Sequence, residues 1–519
     1  MGLRGCINLK SSVLLKGEEF IVKGHLKEVL EESYELLKFS ERIGDYASYS
    51  DALYLISVVS RLLGNIELSV RASERGVEAS RNSSYSEGLC MCLLSRIRAM
   101  ESRKEKEGIS TLLKECERVC LETDIYYEYL RLLGDLKVSD FRYEEGIRLY
   151  DKAADLATRK GDKLSELKCK FNLGVTKLAS GDLSGRGELK EVMEEFQSKG
   201  YKLGMSVLLL NLGISELLFG ETKKALDYSE RVIEISKNMG DRIQEMRALF
   251  LKADALYSLG KLDEAIAVMD EGLEIAFSTG DHREITTRLL MKGLILLDKG
   301  EIKSAEEILH TMREYEKYEV DKSLLNFLIG KIEAEKGNYE IAEKYLREAI
   351  EKCEGCSPRI ILMMKLSLAK TMLDYRELRE DIRANISSVI EDIEGDPTVK
   401  RYASIMANLK LIRGLLSALT EDYEHGERLI LEALSICNEH DLIMTREKIL
   451  EELKILRTYM ISHNVESIVM DRIKDNEAFS GKAKEYLSML TSQLFWVRDI
   501  REKATNIEKR KHWQSLRRA

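Results

Sequence analysis

Cysteine and histidine are the residues whose spacing could carry chemistry here, and the chain has nine of the first and seven of the second. The cysteines are odd in number and follow no regular framework. Cys116 and Cys120 stand four apart, as on one face of a helix, and Cys353 and Cys356 form a lone C-x-x-C in "CEGC". A structural zinc site takes four ligands, and no second pair lies at a suitable spacing. A redox C-x-x-C belongs in a βαβ setting, which is missing. Reduced thiols, with Cys353 and Cys356 in a loop between helices, are therefore expected. The histidines (His25, His282, His310, His425, His440, His463, His512) never pair at i, i+4 to make a metal face. "SGKAK" from Ser480 has a Gly-Lys but no upstream glycine or strand, and "GDLSGRG" from Gly181 has glycines but no Lys-Thr. Neither makes a phosphate loop. Acidic pairs such as Glu306-Glu307 read as solvated charges on a helix face. No catalytic, cofactor or metal residue is assigned, and the chain reads as a non-enzyme.

The elements that would position any site are helices. Apolar residues make up 44% of 519 residues and charged residues 33%, a balance that fits a folded, water-exposed chain. Pro358 and Pro397 are the only prolines, and so few helix breakers imply helix nearly throughout. The longest apolar runs, such as Val207 to Leu210, fall far short of the roughly 20 residues a membrane span needs. Val13 to Leu15 is too short for a signal-peptide core, and Cys6 stands where a myristoylation pattern wants Ser or Thr. A cytoplasmic chain is the expectation. The net charge of −9 is too mild to name a partner class.

The helices repeat. Glycines recur at Gly24, Gly64, Gly181, Gly220, Gly260, Gly300 and Gly337, and Phe141 takes one slot between. Seven residues earlier stands a small residue: Gly17, Ser57, Gly134, Gly174, Gly213, Ala253, Gly293 and Gly330. Five residues later stands another: Ser69, Gly146, Ala225, Ala265, Ala305 and Ala342. Gly414 and Gly426 keep the rule late in the chain. Small residues on two helices let them approach closely, and the glycine between allows the positive φ at which the first helix stops. Gly44-Asp45, Gly161-Asp162, Gly240-Asp241 and Gly280-Asp281 end the second helix, and each aspartate can cap the next. Each forty residues is thus a helical hairpin, and stacking buries what one hairpin leaves open.

These columns resemble the tetratricopeptide repeat, with "NLGISELLFGETKKALDYSERVIEIS" (Asn211 to Ser236) the closest stretch. The forty-residue unit is similar to the variety in kinesin light chains and in the sensor arms of nucleotide-driven transcription regulators. The resemblance implies an all-α, right-handed superhelical solenoid of about eleven antiparallel hairpins over residues 1–464. Residues 465–519 then form a helical extension with a basic end. The turn glycine is missing around Lys104 and at Tyr375-Arg376, where hairpins with altered angles are expected.

In such arrays the first helices line a concave groove. Positions six and three before the small column, and one and four after it, face inward. In the middle units this register gives Phe171, Leu210, Ile214, Leu217, Phe250, Tyr257, Leu290, Leu294, Leu297 and Phe327. The set is apolar, which disfavours a clamp for a terminal carboxylate and suits an apolar peptide or helix. The competing expectation is that these residues pack on one another as core. The tail offers a second surface. Leu487, Leu490, Leu494 and Val497 keep helical spacing beside Trp496, and from Arg498 onward the balance is +5. Trp496, Trp513, Arg510 and Lys511 could dock on the array, meet a partner or touch nucleic acid. The expected function is a scaffold or adaptor for a protein or peptide segment, with no cofactor and no membrane. The alternative is a sensor or regulatory subunit of a signalling or transcription assembly, with possible nucleic-acid contact through the tail.

Overall fold

The computed structural model describes residues 12–102, 108–182, 184–279, 282–353, 355–375, 380–420 and 422–457. The expected turns at Lys104 and at residues 376–379, the C-terminal extension and its tail residues Trp496, Arg510, Lys511 and Trp513 lie outside them. Among the described residues there is no strand. No described helix is long and apolar enough to cross a membrane.

Among the described residues, the first twenty-two α-helices form eleven consecutive pairs. The first helices of the first six pairs are α1 (Ser12–Lys23), α3 (Tyr46–Leu62), α5 (Ser86–Ser102), α7 (Tyr126–Ser139), α9 (Lys163–Ser180) and α11 (Lys202–Leu218). Their partners are α2 (Leu26–Ile43), α4 (Ile66–Asn82), α6 (Ile109–Leu121), α8 (Tyr143–Lys160), α10 (Gly185–Ser198) and α12 (Thr222–Met239). There follow α13 (Arg242–Ser258), α14 (Leu262–Thr279), α15 (His282–Lys299), α16 (Ile302–Glu314), α17 (Glu319–Glu335) and α18 (Tyr339–Glu351). Then come α19 (Pro358–Tyr375), α20 (Glu380–Gly395), α21 (Ala403–Leu419) and α22 (Tyr423–Glu439). Residues 443–457 are helical again.

Local chemistry explains the breaks. All seven glycines of the turn column have positive φ, and Phe141 in the same slot is held at φ 60°. Three of the four aspartates after the closing glycines cap, and Gly280-Asp281 lies outside the described residues. Asp45 accepts from the Ser48 amide at 3.1 Å, Asp162 from Ser165 at 3.0 Å and Asp241 from Gln244 at 3.0 Å. Pro358 stands first in α19, where the missing N–H costs nothing, and Pro397 follows the end of α20.

The two small columns meet. Ser57 Oγ donates to the Ser69 carbonyl at 2.8 Å. A Cβ on Gly330 would come within 3.2 Å of the Ala342 carbonyl, and one on Gly426 within 2.6 Å of the Gly414 carbonyl. In the fifth pair Gly185 meets Gly174, so the glycine-rich insertion supplies its own small residue. The larger neighbours interlock as a result, and six of the seven residues between Leu53 and Val59 are buried along with their polar members.

The chain divides into two compact units, residues 1–257 with 261–292 and residues 258–260 with 293–519, and the later boundary falls inside α15. In the first unit, one apolar core runs from Leu14 and Leu26 through Leu93, Ile97 and Tyr127 to Leu203 and Met239. In the second, Ala407, Leu411, Ile430, Ala433, Ile449 and Leu453 form a core around α21 and α22.

The cysteines depart from expectation. Cys90 and Cys120 are joined in a disulfide, although thirty residues separate them. The stacking of α5 on α6 brings them together, which no local spacing encodes.

Candidate interior binding site

The first helices of the first unit close into a ring. α1 packs on α3, α3 on α5, α5 on α7, α7 on α9, α9 on α11, and α11 returns to α1. The closure follows from accumulated rotation. Each hairpin turns slightly on the last, and after six hairpins the inner face meets itself.

The ring leaves a cavity of about 190 Å³. Every residue lining it comes from one of those six helices: Glu18, Ile21 and Val22 from α1, Tyr54, Val58, Arg61 and Leu62 from α3, and Ser95, Arg98, Arg131, Lys168 and Leu203 from the other four. Ile21, Val22, Val58, Leu62 and Leu203 make part of the wall apolar.

Three of the four cations are paired. Lys168 Nζ donates to Glu18 Oε2 at 3.0 Å, a contact between residues 150 apart in sequence, and Tyr54 Oη donates to Glu18 Oε1 at 2.9 Å. Arg131 Nη2 donates to the buried Glu128 at 2.6 Å, and Ser165 Oγ donates to the other Glu128 oxygen at 2.7 Å. Arg98 Nη2 donates to Asp135 Oδ2 at 3.3 Å. Burial alone would lower the pKa of Arg131, but Glu128 and Asp135 outweigh it and hold the pKa well above its ordinary value.

Arg61 differs. It lines the cavity, and its guanidinium has no hydrogen bond or ion pair among the described residues. Burial pushes its pKa down to about 10, and the like charges of Arg98 and Arg247 add to the shift. Asp241 and Tyr54 act in the opposite direction. Asp241 is itself pushed up to about 6 by burial. At neutral pH the Arg61 guanidinium is still charged, because about 10 lies well above 7.

The sulfur groups offer little. The Sγ atoms of Cys90, Cys116 and Cys120 lie within 4.8 Å of one another, but two of the three are spent in the disulfide. Burial pushes the Cys116 thiol up to about 12, so it is protonated. Cys353 and Cys356 are buried between α18 and α19. A hydrogen bond from Cys356 holds the Cys353 thiol below its usual range.

The expected groove residues are spread over both units. Leu210, Phe250 and Leu290 are buried in the first, and Leu294, Leu297 and Phe327 in the second. Phe250 packs against Gly272 and lies under the Arg288 guanidinium, 4.7 Å from its centroid. Phe171, Leu217 and Tyr257 are half-buried, and Phe171 rests on Phe196 at 6.2 Å. Ile214, at 42% exposure, is the member of the set most open to solvent. Phe171, Leu210 and Leu217 share one apolar cluster.

Sequence reasoning did not single out the cavity residues, although the signal was present. The same inward register carried to the earlier hairpins lands on Glu18 and Ile21 around Gly17, and on Tyr54, Val58 and Arg61 around Ser57. It also gives Arg131 before Gly134 and Lys168 before Gly174. The charge at these positions distinguishes them from the apolar middle units.

Comparison with known proteins is consistent with the hairpins. A family model described as the tetratricopeptide repeat matches residues 247–279 and 325–351. The human protein named tetratricopeptide repeat protein 29 is 24% identical over 273 residues, which are 50% of this chain and 51% of that protein. This chain thus spans about half the length of the curated relative it matches. Among solved structures, a tetratricopeptide repeat protein from Parabacteroides merdae is 19% identical, with a TM-score of 0.35 over 56% of this chain and 98% of the other. Yeast Tom70 is 12% identical, with a TM-score of 0.37 over 87% of this chain and 99% of the other.

Proposed function

We propose that this chain, an array of tetratricopeptide repeats, is a non-enzymatic scaffold that binds a protein or peptide segment on the inner face of its first helices. One observation carries the reading. In the first unit, six successive first helices supply every residue lining the ring cavity, and no second helix contributes. A repeat that turns corresponding positions of distant hairpins toward one space makes a recognition surface, because each hairpin adds side chains to it without altering its neighbours.

The apolar members of the inward register extend that surface along α11. Leu210 and Leu217 pack into the array, and Ile214 between them stays exposed. An exposed branched apolar side chain in that register suits an apolar anchor from a bound segment. The partner class is therefore a peptide or helix with an apolar face.

A photo-cross-linking side chain placed at Ile214 tests the reading. The control position is Glu234 on α12, a second helix. Expressed in the native cell, the first variant should capture a discrete protein partner that the second does not. Capture of nothing from position 214, or equal capture from both, would overturn the inner-face reading.

A further inference from the structure

We infer that the ring cavity of the first unit is a binding site for a small ligand with one oxyanion group, a carboxylate or a phosphate, and an apolar remainder. The inference rests on reading the inner face as a binding surface, and it adds the chemistry that one part of that face selects.

Four cations line the cavity, and three have a carboxylate within hydrogen-bonding distance. Those carboxylates have other partners too. Glu18 takes Tyr54 and Lys168, Glu128 takes Arg131 and Ser165, and Asp135 takes Arg98, Tyr150 and Asn172. Asp241 is the remaining carboxylate whose charge reaches Arg61, and it forms no ion pair with it among the described residues. Arg61 is half-buried, and a cation drawn partly out of water is ordinarily paired or hydrated in a folded chain.

Shape points the same way. At about 190 Å³ the cavity exceeds the roughly 150 Å³ apolar cavity that accepts benzene. Its apolar wall would be poorly served by water alone, since ordered water needs two to four polar partners. The guanidinium presents a planar fork of donors that matches a carboxylate or phosphate edge in two parallel hydrogen bonds. The Ser95 hydroxyl is engaged with Ser57 and that of Tyr54 with Glu18, and Ile21, Val58 and Leu62 would cover the ligand's apolar body. One unpartnered cation matches one anionic group. A ligand of higher charge would meet Glu18 without a second free cation.

The ring gives binding a consequence. A ligand held by Arg61 on α3 and covered by residues of α1 and α11 would bridge the hairpin that starts the ring and the one that closes it.

The test uses the full chain with three probes: inorganic phosphate, acetate and benzoate. Calorimetry measures affinity, and hydrogen exchange of α1, α3 and α11 measures protection. Benzoate should bind more tightly than acetate, because it also fills the apolar wall, and should slow exchange in all three helices. Arg61→Gln should weaken binding at least tenfold while the far-ultraviolet circular dichroism stays that of the parent. Val58→Phe keeps every charge and should weaken benzoate more than phosphate. Tighter binding of phosphate than of benzoate would assign the site to a phosphate ester and leave the oxyanion chemistry standing. No binding of any probe, or equal affinity in Arg61→Gln, would overturn the inference. Capture of a partner at position 214 alongside that failure would leave the scaffold reading intact, so the two are separable.

Discussion

Alanine in place of glycine has opposite expected effects at two positions, and the difference comes from the space around each. Gly426 lies in α22 against α21. A Cβ there would stand 2.6 Å from the Gly414 carbonyl oxygen and 2.9 Å from both the backbone nitrogen and the Cβ of Ala418. Ordinary contact begins near 3.4 Å, so the two helices would have to separate by several tenths of an ångström. Backbone cannot swing aside as a side-chain tip can, so the overpacking cost falls at the upper end of its range, about 3 kcal/mol. The helix gains about 1 kcal/mol when alanine replaces glycine. The net for Gly426→Ala is a loss of about 2 kcal/mol, roughly a 30-fold rise in the open population. Gly187 in α10 has nothing within 4 Å of the same added atom. Gly187→Ala therefore keeps the helix gain alone, about 0.5–1 kcal/mol. Hydrogen exchange read by mass spectrometry reports each hairpin separately, which suits a chain of two units. Peptides from α21 and α22 should exchange about 30-fold faster in the first variant. Peptides from α10 should exchange a few-fold more slowly in the second. Unchanged or slower exchange of α21 and α22 in Gly426→Ala would refute the claim that close approach of these helices requires glycine.

Gly213→Leu should cost about 1–3 kcal/mol, because even a Cβ would lie 2.6 Å from Leu251 and 3.2 Å from Tyr228. Urea unfolding of the variant measures this, and a midpoint equal to the parent's counts against the register. Glu128→Ala should destabilise by about 3 kcal/mol, since it leaves the Arg131 guanidinium buried without its closest counter-charge. The same substitution at Glu35, whose Lys38 pair is exposed, should leave the urea midpoint in place. Asp241 carries a pH dependence. Its folded pKa of about 6 lies above the ordinary 3.8, so the native state binds more protons between those values and stability falls as pH rises through the window. Stability of the parent relative to Asp241→Asn should fall by about 2–3 kcal/mol between pH 4 and pH 7. A difference independent of pH would show that Asp241 ionises freely.

The hairpin is written in local signals along the chain. Two prolines in 519 residues, a turn glycine every forty and small residues seven before and five after it left one local solution. Each of those signals acts within one unit. Gly64 stops a helix through its own φ, Asp162 caps through its own carboxylate, and Ser57 meets Ser69 twelve residues away. The inward register was legible too, but it specifies only a direction. It could not say whether residues so directed would line an open groove, pack as core or enclose a cavity. Phe250 and Phe327 became buried, Ile214 stayed exposed and Arg61 came to line the ring cavity, all from the same rule. Tertiary structure decided among these, because closure of the ring is the sum of small rotations between hairpins, each set by side-chain volumes across an interface. Glu18 meets Lys168 across 150 residues, and Cys90 meets Cys120, only after those rotations have added up. A period of forty residues encodes the unit and not the angle at which it stacks on the next, so the ring and its unpartnered arginine belong to the folded chain alone.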